Sequence, residues 1–416
     1  MSKHWKITLF AIAAVGAAYT GMAWHPAIAP VDPPSSMTFP APVVAQGATL
    51  AAIGDCAVCH TATKGAPFAG GRPLNTPFGV VHATNITPDP ETGIGRWSEA
   101  AFARAMRDGI ARDGRHLYPV LPYPHFVGLT DQDMAALYAF LMTRAPRRLE
   151  APPNALGFPA NIRATLAGWN LLFVTSGPFA PTPSQNAEWN RGAYLVESLG
   201  HCGACHTPRN AAGAEQNGRA LAGGEVEGWD APALQGRTPA GAPWTVDALT
   251  TYLRTGFSAG HGAAAGPMAA VTQALAQVPE ADVRAIAVYI KLQLPTIAVP
   301  TVVPAVRPDG SAVATIFAGA CGNCHAADAP MTQRGAPSLA ASSAVNADGP
   351  RNVIQTMLQG IPARDGVPGP AMPSFAGALS DSQIAELAQY VRTQYGRGPA
   401  WTDIERQVRD ARKAGG

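Results

Sequence analysis

Cys56-Ala57-Val58-Cys59-His60, Cys202-Gly203-Ala204-Cys205-His206 and Cys321-Gly322-Asn323-Cys324-His325 contain all six cysteines of this 416-residue chain. Two thiols on one helical turn can each form a thioether with a vinyl group of a porphyrin, and the next residue then offers an imidazole to the iron. Paired cysteines have other uses: a disulfide framework, a redox dithiol or half of a zinc site. None of these explains a histidine after every pair with no cysteine left over. The pattern assigns three covalently bound haem c groups, held by Cys56, Cys59, Cys202, Cys205, Cys321 and Cys324, with His60, His206 and His325 as proximal iron ligands.

Composition agrees with a chain built around large apolar groups. Only 14% of residues are charged while 47% are apolar, so packed apolar surface rather than charge dominates. Lys plus Arg is 30 against 28 for Asp plus Glu, and no dense basic block occurs, which argues against nucleic acid as a partner. At the N-terminus, Lys3 and Lys6 precede an uncharged run from Ile7 to Trp24, near the lower length limit for a membrane-spanning helix. Ala27-Ile28-Ala29 resembles a signal cleavage site, but Pro30 follows it. An uncleaved anchor is the expectation and a cleaved signal the alternative. Either exports the chain, with the lysines left inside.

The surroundings of the cysteines repeat. QGATLAAIGDC begins at Gln46 and RGAYLVESLGHC at Arg191, so Gly47 and Gly192 are read as sharing one offset from the first cysteine, as are Leu50 and Leu195, with the glycine letting another helix cross closely. The third copy, from Ser311, lacks the glycine. DMAALYAFL (133–141), DVRAIAVYI (282–290) and QIAELAQYV (383–391) align without gaps, with helical apolar spacing and an aromatic at one offset: Phe140, Tyr289 and Tyr390. Trp97 stands 12 residues before Gly109, and Trp244 stands 12 before Gly256.

These units resemble cytochrome c domains, in which a helix enters the attachment motif and a last helix crosses the first. The expected fold is all-α: a signal or anchor at 1–24, a Pro-rich linker at 25–42, cytochrome c domains at 43–147, 186–297 and 311–395, linkers at 148–185 and 298–310, and a solvated tail at 396–416. For the second iron face, Met268 in GPMAAV and Met372 in GPAMPSF follow proline at matching places and are the expected axial ligands. In the first copy Leu121 occupies that place. Met106 and Met134 match core positions of the other copies, and Met142 matches Lys291 and Arg392, read as exposed. His125, four residues past Leu121, is the expected substitute; His82, His116 and an open iron are the alternatives.

The stretches TPFGVVHATNITPDPETGIGRWS (76–98), LYPVLPY (117–123) and AEWNRGAYLVESLGHCGACHTPRN (187–210) are similar to runs in the three-haem cytochrome subunits of membrane-bound bacterial dehydrogenases. Leu121 followed by PHF looks more like the cytochromes that accompany molybdenum hydroxylases of the nicotinate, isoquinoline or aldehyde dehydrogenase type. The resemblance implies an electron-transfer subunit on the periplasmic side of the inner membrane. Its partners would be a large molybdopterin subunit, a small iron–sulfur subunit, and quinone or a terminal oxidase as acceptor. The alternatives are the cytochrome subunit of a quinoprotein or flavoprotein alcohol, gluconate or sorbitol dehydrogenase, and a peroxidase-like haem enzyme using an open first iron. Within 76–98, Asp89-Pro90-Glu91 lacks a calcium-loop pattern and is read as haem-pocket wall, with Asn85 or Arg96 beside a propionate. His201 is read as a haem-edge or surface residue rather than a ligand. No Rossmann fingerprint, P-loop or nucleophile elbow occurs in the sequence.

Overall fold

A computed structural model describes residues 3–33, 39–175, 177–236, 243–294, 310–326, 329, 338–363 and 371–415. The chain divides into two compact units, Met1–Pro181 with Glu197–His201 and Thr182–Val196 with Cys202–Gly416. The first contains one attachment motif and the second contains two. Of the expected linker at 298–310, only Gly310 is among the described residues.

In the first unit the elements are α1 (Lys3–Ala23), α2 (Ala41–Ile53), α3 (Cys56–Cys59), β1 (Pro73–Thr76), β2 (Gly79–His82), α4 (Glu99–Asp108), α5 (Tyr123–Phe126), α6 (Asp131–Met142), β3 (Ala155–Leu156) and α7 (Thr165–Phe173). Hydroxyl caps start the core helices: Ser98 accepts from the Ala101 N–H and Thr130 from the Asp133 N–H, each satisfying an orphan donor of the first turn. Helix α2 crosses α6 at Gly47, where a Cβ would lie 2.0 Å from the Ala136 carbonyl oxygen and 2.6 Å from Phe140 Cβ. Only hydrogen fits there, which is why the repeat has glycine opposite an aromatic. The strands β1, β2 and β3 form a small antiparallel sheet.

The second unit continues with α8 (Ala187–Tyr194), α9 (Gly203–His206), β4 (Gly224–Val226), β5 (Trp229–Ala231), α10 (Val246–Thr255), β6 (Phe257–Ser258), β7 (Gly262–Ala263), α11 (Pro267–Leu275), α12 (Glu280–Gln293), α13 (Ala312–Ala320), α14 (Gly322–His325), α15 (Ser343–Asn346), α16 (Arg351–Gln359), α17 (Asp381–Tyr395) and α18 (Ile404–Gly415). The glycine crossing recurs: a Cβ on Gly192 of α8 would lie 2.0 Å from the Ala285 carbonyl oxygen and 2.9 Å from Tyr289 Cβ of α12. The third crossing, α13 on α17, has no glycine; the Phe317 ring packs 5.3 Å from Tyr390 and 5.8 Å from Tyr395 instead. Helices form the cores, and the strands are short antiparallel pairings at the edges.

Four sequence expectations change. Gly192 lies one residue farther from its first cysteine than Gly47 does, and the extra residue is absorbed by a π-helical turn, Leu195–Leu199. The connector at 148–185 contributes β3 and α7, whose Leu166 and Ala167 are buried in the first unit. The tail is a packed helix rather than a solvated one: Trp401, Ile404 and Val408 join the core around α16 and α17. Met142 and Arg392, read as exposed, are each 3% accessible. The expected anchor segment is helical, yet no helix among the described residues is long and apolar enough to cross a membrane.

Candidate haem-attachment sites

Each motif forms a single turn that closes on its histidine. The His60 N–H donates to Cys56 O at 3.0 Å, His206 to Cys202 O at 2.9 Å and His325 to Cys321 O at 2.9 Å. Both sulfurs and the imidazole of each motif therefore come from one turn of backbone. An arginine braces two of these turns through the residue just before the second cysteine: Arg72 Nη1 donates to Val58 O at 2.8 Å, and Arg209 Nη2 to Ala204 O at 2.7 Å. The two arginines stand at different distances along the chain from their motifs, so no repeat in the sequence reveals their shared role.

A second backbone contact orients the imidazoles. His60 Nδ1 lies 2.6 Å from Thr84 O, and His206 Nδ1 lies 2.6 Å from Pro232 O. A carbonyl accepts from Nδ1–H and leaves the lone pair on Nε2, the tautomer required of a metal ligand. Burial lowers the pKa of His60, His206 and His325, which favours the neutral ring. His325 Nδ1 is buried without a partner among the described residues. Carbonyl partners carry no side-chain signature, which is why sequence reading missed Thr84 and Pro232.

Burial keeps the first thiol of each motif protonated. Burial pushes the Cys56 and Cys202 thiols up to about 12 and the Cys321 thiol up to about 11, whereas a reactive thiolate needs the opposite shift. Among the described residues, no group of three or more His, Cys, Asp or Glu side chains gathers to hold a metal ion. Protonated first thiols beside a neutral imidazole, oriented by a carbonyl in two of the three motifs, fit covalent haem c, whose iron Nε2 would bind.

The residues expected on the other iron face occupy different settings. Met268 is the second residue of α11, half-buried, two residues past Gly266, where a Cβ would meet the Trp229 indole at 2.3 Å. Met372 is half-buried on an extended segment, its backbone N and O both paired with Ile361 at 2.8 Å, and it packs against the third core. Leu121 closes a turn by donating its N–H to Tyr118 O at 3.1 Å.

Two of the alternative histidines are engaged with the backbone. His82 Nδ1 lies 3.1 Å from Pro153 O, which ties β2 to the connector. His116 is buried with Nε2 3.0 Å from Ala23 O, so it fixes the segment after α1; Arg104 does the same by donating to Pro26 O at 2.8 Å. His125 lies on α5 with Nδ1 2.8 Å from Glu197 O and its ring 6.5 Å from His201. That is the same Nδ1–carbonyl arrangement as in His60 and His206.

The loop after β2 is braced by its own side chains and by the backbone at Arg147 and Leu149. Asn85 donates to Thr92 Oγ1 and Arg147 O and accepts from the Thr87 N–H and hydroxyl, so its amide is committed to the loop rather than to a propionate. Asp89 accepts from the Thr92 N–H, the Thr92 hydroxyl and the Glu91 N–H, and these bonds, the Thr92 N–H foremost, hold its carboxyl below the usual range.

The family model described as "Cytochrome c" matches residues 44–145, and that described as "Cytochrome C oxidase, cbb3-type, subunit III" matches residues 308–391. The chain is 47% identical to a nicotinate dehydrogenase subunit of Pseudomonas putida over 99% of its own length, and it spans only 35% of that relative. It is 35% identical to the fructose dehydrogenase cytochrome subunit of Gluconobacter japonicus, covering 88% of this chain and 83% of the relative. It is also 35% identical to the gluconate 2-dehydrogenase cytochrome c subunit of Pantoea cypripedii, covering 89% of this chain and 90% of the relative.

Proposed function

This chain belongs to the cytochrome c subunits of dehydrogenases, and from that premise we propose that it carries electrons through three haem c groups from a substrate-oxidising partner to a membrane acceptor. The observation that carries the reading is the repeated turn: two thiols, an imidazole i+4 from the first, and in two copies a carbonyl 2.6 Å from Nδ1. Bound haem supplies the one-electron chemistry; the protein sets ligands, burial and spacing. His60, His206 and His325 serve as proximal ligands, with Met268 and Met372 opposite two of them. For the first haem, His125 is the proposed sixth ligand, since Leu121 cannot bind iron, His125 lies four residues past it, and its Nδ1 contact leaves Nε2 for the metal; His116 has Nε2 engaged with Ala23 O, and His82, whose Nδ1 also meets a carbonyl, is the alternative.

The higher identity with the nicotinate relative, 47% against 35%, supports a molybdopterin hydroxylase with an iron–sulfur subunit as the partner. Quinone or a terminal oxidase would accept the electrons. The uncharged run from Ile7 to Trp24 supports a position at the periplasmic face of the inner membrane, with α1 as anchor or signal.

Pyridine haemochrome assay and intact mass test the count: three haems per chain are expected, and two or fewer would refute it. Reduction of all three by a co-purified dehydrogenase and its substrate tests the role. Leu121 also favours a second reading, an open first iron that turns over peroxide. High-spin ferric iron with peroxide consumption would support that reading, and low-spin iron throughout would exclude it.

A further inference from the structure

The third proposed axial ligand is held differently from the second. Met268 is the second residue of a nine-residue helix that fixes its backbone, whereas Met372 lies on a segment with no helix of its own between 371 and 380. Upstream, that segment is pinned by the Ile361 pairing and by Ser374 Oγ donating to Leu358 O at 2.5 Å. Downstream it is pinned by the C-terminal helix. Arg412 of α18 donates through Nη1 to Ala376 O at 2.5 Å, through Nη2 to Leu379 O at 2.6 Å, and through Nε to Asp381 Oδ1 at 2.5 Å. The guanidinium thus ties two points of the chain between Met372 and α17, Ala376 and Leu379, to Asp381 at the start of α17, in the fork geometry that only arginine provides.

Helix α18 is itself seated firmly enough to act as the fixed end. Val408 is fully buried, and Ile404 and Trp401 are 9% and 8% accessible. Buried Arg392 of α17 reaches Pro399 O at 2.9 Å and Val345 O at 2.6 Å, with its guanidinium 4.8 Å from the Trp401 ring. Trp401 Nε1 donates to Ala347 O at 3.1 Å.

We propose that Arg412 is a positioning residue for the third haem: the C-terminal helix clamps the segment that presents Met372, so residues after the last repeat helix govern an iron ligand. The proposal rests on Met372 as axial ligand. A Met–Fe bond is weak enough that external imidazole competes for the iron, and slack in the presenting segment appears as easier displacement.

The test uses the full-length holoprotein in its ferric state. Imidazole titration is read against the loss of the near-infrared methionine-to-iron charge-transfer absorption, in wild type, Arg412→Ala, Arg412→Lys, Met372→Ala and Arg406→Ala. Arg406 is an exposed α18 residue paired only locally with Asp403 and Asp410, and it serves as the control. Met372→Ala should remove about half of the absorption, Met268 supplying the rest. Arg412→Ala should raise the apparent imidazole affinity of one haem at least tenfold, Arg412→Lys should fall between it and wild type, and Arg406→Ala should match wild type.

If Arg412→Ala titrates as wild type does, the clamp is wrong while Met372 stands. If Met372→Ala keeps the full absorption, the ligand assignment fails and takes the clamp with it. Should Arg412→Ala fail to incorporate haem, Arg412→Lys decides alone, and wild-type behaviour there overturns the proposal.

Discussion

Replacing Gly47 by alanine tests the helix crossing that organises the first domain. The new Cβ would start 2.0 Å from the Ala136 carbonyl oxygen and 2.6 Å from Phe140 Cβ, about 1 Å inside the closest approach that Cβ atoms make. Because the blocking atom is backbone, α6 must move as a body rather than one side chain swinging aside. Overpacking of this kind costs about 1–3 kcal/mol, with backbone clashes at the upper end, against a gain of about 1 kcal/mol from replacing glycine in a helix. The net loss is about 2 kcal/mol, which for a domain of this size corresponds to a melting shift on the order of 10 °C. Gly319→Ala is the matched control: that glycine sits in α13 with nothing within 4 Å of its absent Cβ, so the propensity gain should stand alone and stabilise the protein. Thermal unfolding of the holoprotein, followed by haem absorption, separates the two. The crossing argument fails if Gly47→Ala melts with wild type, or if both variants shift in the same direction.

Three further outcomes follow from the same geometry. Phe317→Ala empties the aromatic filler between α13 and α17 and should cost about 3–5 kcal/mol in the stability of that helix pair, measured by denaturant unfolding; a loss below 1 kcal/mol would contradict its role. Asp55 is pushed by burial from 3.8 to about 6, with one carboxyl oxygen buried unpartnered, so its folded form prefers the proton. Stability tied to that proton is intact below about pH 4 and is lost as pH rises through about 6; Asp55→Asn should therefore stabilise at pH 7 and change nothing at pH 4, and equal effects at both would refute it. Met268→His and Met372→His should each lower the midpoint potential of one haem, because methionine ligation raises it, and a redox titration with unchanged midpoints would remove the residue from the ligand set.

What could be read from the chain beforehand was whatever side chains announce. The cysteine and histidine spacing, the helix periodicity and the glycine opposite an aromatic are direct statements about chemistry and volume, and the crossings occur at the residues named. What escaped is mostly backbone. Thr84 and Pro232 act through carbonyls, Asn85 is spent on its own loop and the Arg147 carbonyl, and Arg72 and Arg209 reach equivalent carbonyls from unrelated positions. The C-terminal segment misled for another reason: its charges, Arg412 among them, suit a solvent-facing helix, and only the packing shows Val408 buried and Arg412 turned inward. Arg392 is similar, a buried cation satisfied by carbonyls that no spacing rule locates.

The π-helical turn at Leu195–Leu199 has an effect beyond fitting in one residue. An unabsorbed insertion would swing everything downstream through about 100° around the helix axis, taking the Cys202–Cys205 pair off its heading. Widening the turn cancels that rotation, and within the widened stretch the Glu197 carbonyl receives the ring N–H of His125. One added residue thus serves as both a phase corrector and a tether. Shortening the chain there by a single amino acid would be felt twice: once in the bearing of the second motif, and once by a histidine seventy-two positions upstream.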